Sequence, residues 1–289
     1  MTLSLEYWYM LPISILIATT AMASGVEGAT FFSPLFILVL RLRPEVAIGT
    51  ALITEVFGFA SGLSAYARKR LIDYKLGMAL LVVTIPMALI GTWVGGRADP
   101  TALKTILGMG LFVVSLSFLR APEHKDVVLM DAAVKTEYGG EKAETSLVTA
   151  DGEEIRYTVC NRTDGRIIAG IGALFLGMVS TGLGEMNGYC LLQRCRVPSK
   201  VSVATSVFIV AVTALIASAG IVARFAQGGG DALATVLSIV IFTVPGVIIG
   251  GQLGSRVASR IPQRVLERGL GVLFILVAVL TLGQVIVTG

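Results

Sequence analysis

Three carboxylates stand in stretches of chain that otherwise carry no charge: Glu27 within residues 7–40, Glu55 within 46–67 and Glu185 within 167–193. At the centre of a membrane helix such a group costs on the order of 3 kcal/mol or more, so it faces a cavity, pairs, or does work. Two of the three interrupt glycine-rich breaks, Ser24-Gly25-Val26-Glu27-Gly28 and Thr181-Gly182-Leu183-Gly184-Glu185, the second followed by Asn187 and Gly188. Where a helix restarts after a break, about four backbone N–H groups lack intrahelical partners and carry the positive end of the dipole. Gly25, Gly28, Gly182, Gly184 and Gly188 let backbone approach a ligand, and Ser24, Thr30, Thr181 and Asn187 supply neutral donors. That chemistry suits a small oxyanion. The apolar stretches hold no Lys or Arg, so dipoles and neutral donors would hold it, weakly enough to release it.

Each acid admits two readings. A carboxylate in the first turn of a half-helix satisfies those same donors and is then structural; alternatively Glu27 or Glu185 takes up a proton that travels with the anion. Glu55, beside Thr54 and one turn from Thr50, is a third proton-coupling candidate, with pairing to a neighbouring helix as its structural role. Thr50 and the matching Thr205-Ser206 complete the candidate site. Trp93, the methionines and Phe31, Phe32 and Phe36 read as packing or lipid contact.

Enzymatic chemistry lacks material. The one histidine, His124, lies in a polar loop, the seven aspartates lie in loops or at helix ends, and neither an HExxH nor a GxxxxGK[ST] motif occurs, so no metal, cofactor or ATP-driven step is expected. Cys160, Cys190 and Cys195 form an odd set without CxxC spacing and read as reduced thiols.

With 55% hydrophobic and 15% charged residues and a mean hydropathy of +0.83, the chain of 289 residues is far from the roughly 25% charge of soluble domains. The net charge of +4 and pI near 9.0 come from basic residues clustered between apolar runs, an orientation signal rather than a nucleic-acid surface. Uncharged runs at 76–96, 105–119, 201–223, 232–255 and 269–289 join the three above, and a spanning helix needs about 20 such residues. The N-terminal run imitates a signal peptide but has Glu6 and no basic flank, and is read as retained.

The runs repeat. Thr84, Pro86, Gly91, Gly95 and Arg97 match Thr243, Pro245, Gly250, Gly254 and Arg256 at a constant offset of 159; the two glycine breaks match, as do Val46–Ala51 and Val201–Ser206. Such internal repeats mark transporters. The first segment of each repeat is either one broken helix or a hairpin of two half-helices. With hairpins, the loops around 68–75, 120–166, 194–200 and 256–268 share a side and hold 18 of the 23 Lys and Arg; with single spans the partition is 12 to 11. The excess of positive charge on cytoplasmic loops favours hairpins. Each repeat is then a hairpin plus three crossings, so the second is inverted, both termini lie outside, and the hairpin tips meet at mid-membrane.

The expected fold class is thus an all-α polytopic membrane protein of two inverted repeats, 1–120 and 166–289, with a cytosolic polar insertion at 121–165. Within the insertion, Asp151-Gly152 between Thr145–Ala150 and Glu153–Cys160 predicts a β-hairpin with a type I′ turn.

The breaks, with Pro44–Ala51, Pro86-x4-Gly91-x3-Gly95, Val197-Pro198 and Val201–Val207, resemble the sulfite exporter TauE/SafE family, also called the toluene sulfonate uptake permeases. The likeness spans both repeats but not 121–165; Glu27 and Glu185-Met186-Asn187 interrupt glycine runs that many members keep. The resemblance implies export or uptake of sulfite, thiosulfate or an organosulfonate driven by an ion gradient of protons or sodium, in the plasma membrane. A non-transporting membrane scaffold or accessory subunit is the alternative, in which the polar insertion does the work.

Overall fold

The computed structural model describes residues 5–24, 27–119, 128–129, 131–134, 145–159, 162–195, 197–227, 231–257 and 263–288. Ten α-helices and one two-stranded sheet are described. In the first half, α1 (Met10–Ser24) and α2 (Ala29–Leu38) flank the first glycine break and precede α3 (Pro44–Arg68), α4 (Tyr74–Gly95) and α5 (Pro100–Leu119). In the second, α6 (Arg162–Val179) and the six-residue α7 (Leu183–Gly188), continued as a π-helical turn over Tyr189–Arg194, precede α8 (Ser199–Gln227), α9 (Asp231–Val257) and α10 (Gln263–Thr288). Among the described residues, Pro44–Arg68, Tyr74–Gly95, Ser199–Gln227 and Ala232–Leu253 are long and apolar enough to cross a membrane. The chain is a multi-pass helical membrane protein.

Local chemistry sets the helix ends. Pro44 opens α3 at the first helical position, where its missing N–H costs nothing, and the Asp73 side chain caps α4 by accepting from Leu76 N at 2.9 Å. After α6 the chain reverses sharply: Ser180 sits at φ 61 and Gly182 at φ 113, left-handed conformations that glycine adopts freely. The Ser180 hydroxyl donates to the Ile48 carbonyl at 2.7 Å, tying this reversal to α3. The following half-helix runs back along α6, so that Gly172 faces Leu183 and Met186 while Gly165 faces Cys190. The second break is therefore a doubled-back hairpin.

The repeated glycines are contact points. Gly91 and Gly95 of α4 rest on Leu174, Gly177 and Met178 of α6, and Gly246 and Gly250 of α9 rest on Leu11, Ser14, Ile15 and Ala18 of α1. In both cases residue numbers ascend together, so each half's first helix lies parallel to the other half's α4 or α9. Methyl groups at Gly91 and Gly250 would overlap the carbonyls of Leu174 and Ile15; bare backbone is what permits the approach. The matched threonines also behave alike: Thr84 bonds Thr213 at 2.9 Å and Thr243 bonds Thr54 at 2.8 Å, both pairs buried.

Two expectations are corrected. The hairpin β1 (Thr145–Val148) and β2 (Glu154–Tyr157) forms in antiparallel register, Leu147 opposite Ile155, but its turn is not type I′, because Gly152 has positive φ and Asp151 does not. Gly152 N donates to Thr149 O and Thr149 N to Glu153 O, the pattern of a type I turn closed by a left-handed glycine bulge. Cys195 is disulfide-bonded, not a reduced thiol, whereas Cys190 is free and buried.

Candidate functional site

At the meeting of the two breaks, Glu27 reaches across from the first half to the second. Its Oε2 accepts from Gly182 N at 3.1 Å, and its Oε1 accepts a short hydrogen bond from Gly184 N. Gly184 carries no side chain because the Glu27 carboxylate fills the space where one would stand. Glu185, three residues into its own half-helix, reaches back to the same Gly182 N–H at 3.2 Å, as a capping residue does. Thr30 and Thr181 join the breaks through a buried hydroxyl pair at 2.7 Å.

Glu55 on α3 lies beside the start of α2, its Oε1 facing Gly28, with the amides of Ala29 and Gly28 directed toward it. It is 4% exposed, yet neither oxygen has a hydrogen-bond partner among the described residues; Oε1 of Glu185 and Nδ2 of Asn187 are unpartnered as well. Each half-helix start thus faces a carboxylate from elsewhere, and the three acids feel one another's charge.

Glu27 and Glu55 open onto a central cavity of about 180 Å³. Gly28, Gly184, Gly188 and Ser206 of the expected site line it; Thr50, Thr181, Thr205 and Glu185 do not. Thr50 bonds the Val46 carbonyl within its own helix, and Thr205 accepts from Asp73 N at 3.0 Å. Asn187 and Thr30 are buried beside the cavity without lining it. Gly25 lies outside the described residues, and so does the side chain of Ser24. Phe32, expected to be packing or lipid contact, lines the cavity, whereas Trp93 is exposed and stacks beneath Arg97 at 4.2 Å.

Sequence reasoning missed Tyr66, Phe59 and Ser202. The signal was present: Glu55, Gly58, Phe59, Gly62 and Tyr66 recur at i, i+3, i+4, i+7 and i+11, one face of α3, and Ser202, Ser206 and Val210 share a face of α8. All eight line the cavity. The wall is mostly apolar and, among the described residues, contains no Lys or Arg.

The model of the family described as "Sulfite exporter TauE/SafE" matches residues 10–281. The chain belongs to this family. It is therefore a membrane transporter or permease by kinship, which agrees with its apolar helices and buried cavity. Among curated proteins it is similar to the "Probable membrane transporter protein YunE" of Bacillus subtilis (strain 168), 24% identical over 227 residues that cover 78% of this chain and 77% of the relative. No solved structure matches the chain.

Proposed function

We propose that this TauE/SafE member is a secondary transporter of small sulfur-containing anions such as sulfite, thiosulfate or organosulfonates, coupled to protons, with its site in the central cavity. One observation carries the reading: a carboxylate, itself an oxyanion, is seated on the amides of Gly182 and Gly184. Those amides are the donors a substrate oxyanion needs. When Glu27 takes up a proton it no longer claims both, and the anion replaces it; when the anion leaves, the proton is released and Glu27 returns. Proton and anion then cross together, which offsets the cost of bringing a bare anion toward Glu27 and Glu55 in a wall whose described residues include no Lys or Arg.

The parallel packing of α1 on α9 and α6 on α4, with the two threonine pairs, supports a pair of inverted repeats, 1–120 and 166–289. With 18 of 23 basic residues on one side, the reading places residues 121–165 in the cytosol and both termini outside, in the plasma membrane. The acid-bearing cavity favours transport over a scaffold, which has no use for a buried carboxylate such as Glu55 with neither oxygen bonded among the described residues.

The test is uptake of a panel of sulfite, thiosulfate and short alkyl sulfonates into liposomes carrying the purified protein, with and without a pH gradient. Accumulation that follows the gradient supports the proposal. Uptake of none of them, or uptake indifferent to pH, removes it.

A further inference from the structure

Besides the central cavity, a second space of about 430 Å³ opens at the end of α3, bounded by Lys69, Ser199, Lys200 and the turn residues Thr149, Asp151 and Glu153 of the β-hairpin. Tyr66 of α3 and Val203 of α8 line both spaces. They stand where the central cavity and the vestibule under the hairpin adjoin, with Val203 43% exposed. Above Tyr66, the face of α3 that leads back to Glu55 carries Gly62, Phe59 and Gly58, all of which line the cavity. The side chains common to the two spaces are thus one rotatable tyrosine and one valine.

The vestibule's outer wall is fastened unevenly. The hairpin stem is fixed by the buried bond from the Tyr157 hydroxyl to Asp73 Oδ2 at 2.7 Å, and Ile155 and Tyr66 pack on the same small cluster of Leu71, Ile72 and Ala204. The turn itself is held by the Ala150 N to Lys69 O bond at 3.1 Å and by a Lys200–Glu153 pair at 3.6 Å, whose exposed partners contribute little. A fixed stem keeps the vestibule standing, while a loosely held turn leaves its rim open to solvent.

We propose that Tyr66 is the gate residue of the central cavity on the hairpin face: its ring closes the neck against Val203, and its rotation connects the cavity to the vestibule. This rests on the cavity as the transport site, but the gate is testable without any transport. Position 206, inside the cavity, is made a reporter with Ser206→Cys, and a negatively charged methanethiosulfonate reagent is added to one side of oriented vesicles. Modification at that position is read by mass spectrometry, apart from the native cysteines. Tyr66→Ala should raise the rate from the hairpin face several-fold, Tyr66→Trp should lower it below that of the tyrosine, and the rate from the opposite face should not change. Val203→Trp, which narrows the neck from the facing helix, should slow modification in the same way and serves if the alanine variant fails to fold. Equal rates from the hairpin face across these variants, or no modification from that face in any of them, overturns the gate. Because the readout is modification at position 206 and not uptake, a failed uptake panel leaves this result intact.

Discussion

Glu27 and Glu185 meet at a single amide, that of Gly182, which donates to one oxygen of each. Two ionised carboxylates on one donor repel, and the second donor, Gly184 N, serves Glu27 alone. The pair is therefore unequal, and the two Gln variants should differ. Glu27→Gln turns an NH2 group toward one of two amides and leaves it unmatched, at a cost of about 1–3 kcal/mol; Glu185→Gln removes the competing charge and should leave thermal stability near or above that of the parent. Under the proposed mechanism, Glu27→Gln also abolishes pH-driven accumulation while anion exchange survives. Melting curves and uptake with and without a pH gradient check both halves. Glu27→Gln that accumulates substrate with the parent's pH dependence moves the proton site elsewhere, Glu55 first.

Glycine does two different jobs at this tip, and alanine separates them. Gly182 sits at φ 113, where any side chain is strained by about 1–2 kcal/mol, so Gly182→Ala should lower stability whatever the space around it. Gly184 has no such backbone demand, but a methyl there would stand 2.6 Å from Glu27 Oε1. Gly184→Ala should therefore displace Glu27 and alter the pH dependence of uptake with a smaller loss of stability. Identical effects of both variants on melting and on pH dependence would show that Glu27 does not depend on Gly184.

The glycines at 91 and 250 were legible in the sequence because close helix packing admits no larger residue, and their spacing repeats. The breaks were legible for the same reason. What Glu27 touches was not: its partners lie 155 and 157 positions away, and nothing local encodes which half-helix start it caps. Thr50 and Thr205 illustrate the converse, since polar residues at matched positions drew attention, yet one bonds its own helix and the other the α4 cap. The place of the hairpin turn followed from Asp151-Gly152, but its type depended on φ at Asp151, which neighbouring strand register decides. Tyr66 was passed over because aromatic residues in apolar runs are normally packing, and only the face it shares with Glu55 marks it out.

Helix contacts through glycine should be intolerant of bulk at both related positions. Gly91→Val and Gly250→Val each drive a side chain into a backbone carbonyl of the opposite half, and overpacking of this kind costs about 1–3 kcal/mol or more. Both should lower the melting temperature by similar amounts, while Gly110→Val, where a Cβ meets nothing within 4 Å, should not. A large difference between the first two would mean that the α4–α6 and α1–α9 contacts are not equivalent.

Docking of the hairpin should weaken in alkali. Burial, together with the Asp73 carboxylate that accepts its hydrogen bond, pushes the Tyr157 hydroxyl above the ordinary tyrosine range. The docked state prefers the neutral phenol, so its contribution is complete below the free tyrosine value of about 10 and is lost as pH rises beyond it. Tyr157→Phe leaves buried Asp73 Oδ2 without this donor and should loosen the hairpin at neutral pH. Limited proteolysis within 145–157 reads both effects: faster cutting of the parent at high pH, and of the phenylalanine variant at pH 7 with little further change in alkali. A parent hairpin equally protected on both sides of pH 10 would contradict the linkage.

Orientation is the prediction on which two features of the chain disagree. The 18-to-5 partition of basic residues puts the loops at 68–75, 194–200 and 256–268 in the cytosol, whereas the disulfide at Cys195, at the edge of the second of these loops, suits an oxidising compartment. The charge argument draws on four separate segments, and it sets the expectation. Cysteines introduced near Lys69 and Arg260 should be shielded from an impermeant thiol reagent in whole cells and react after permeabilisation, while one near Asp99 should react in intact cells. Labelling near Lys69 from outside, with Cys195 still oxidised, would reverse the orientation and place the hairpin and its vestibule on the outer face.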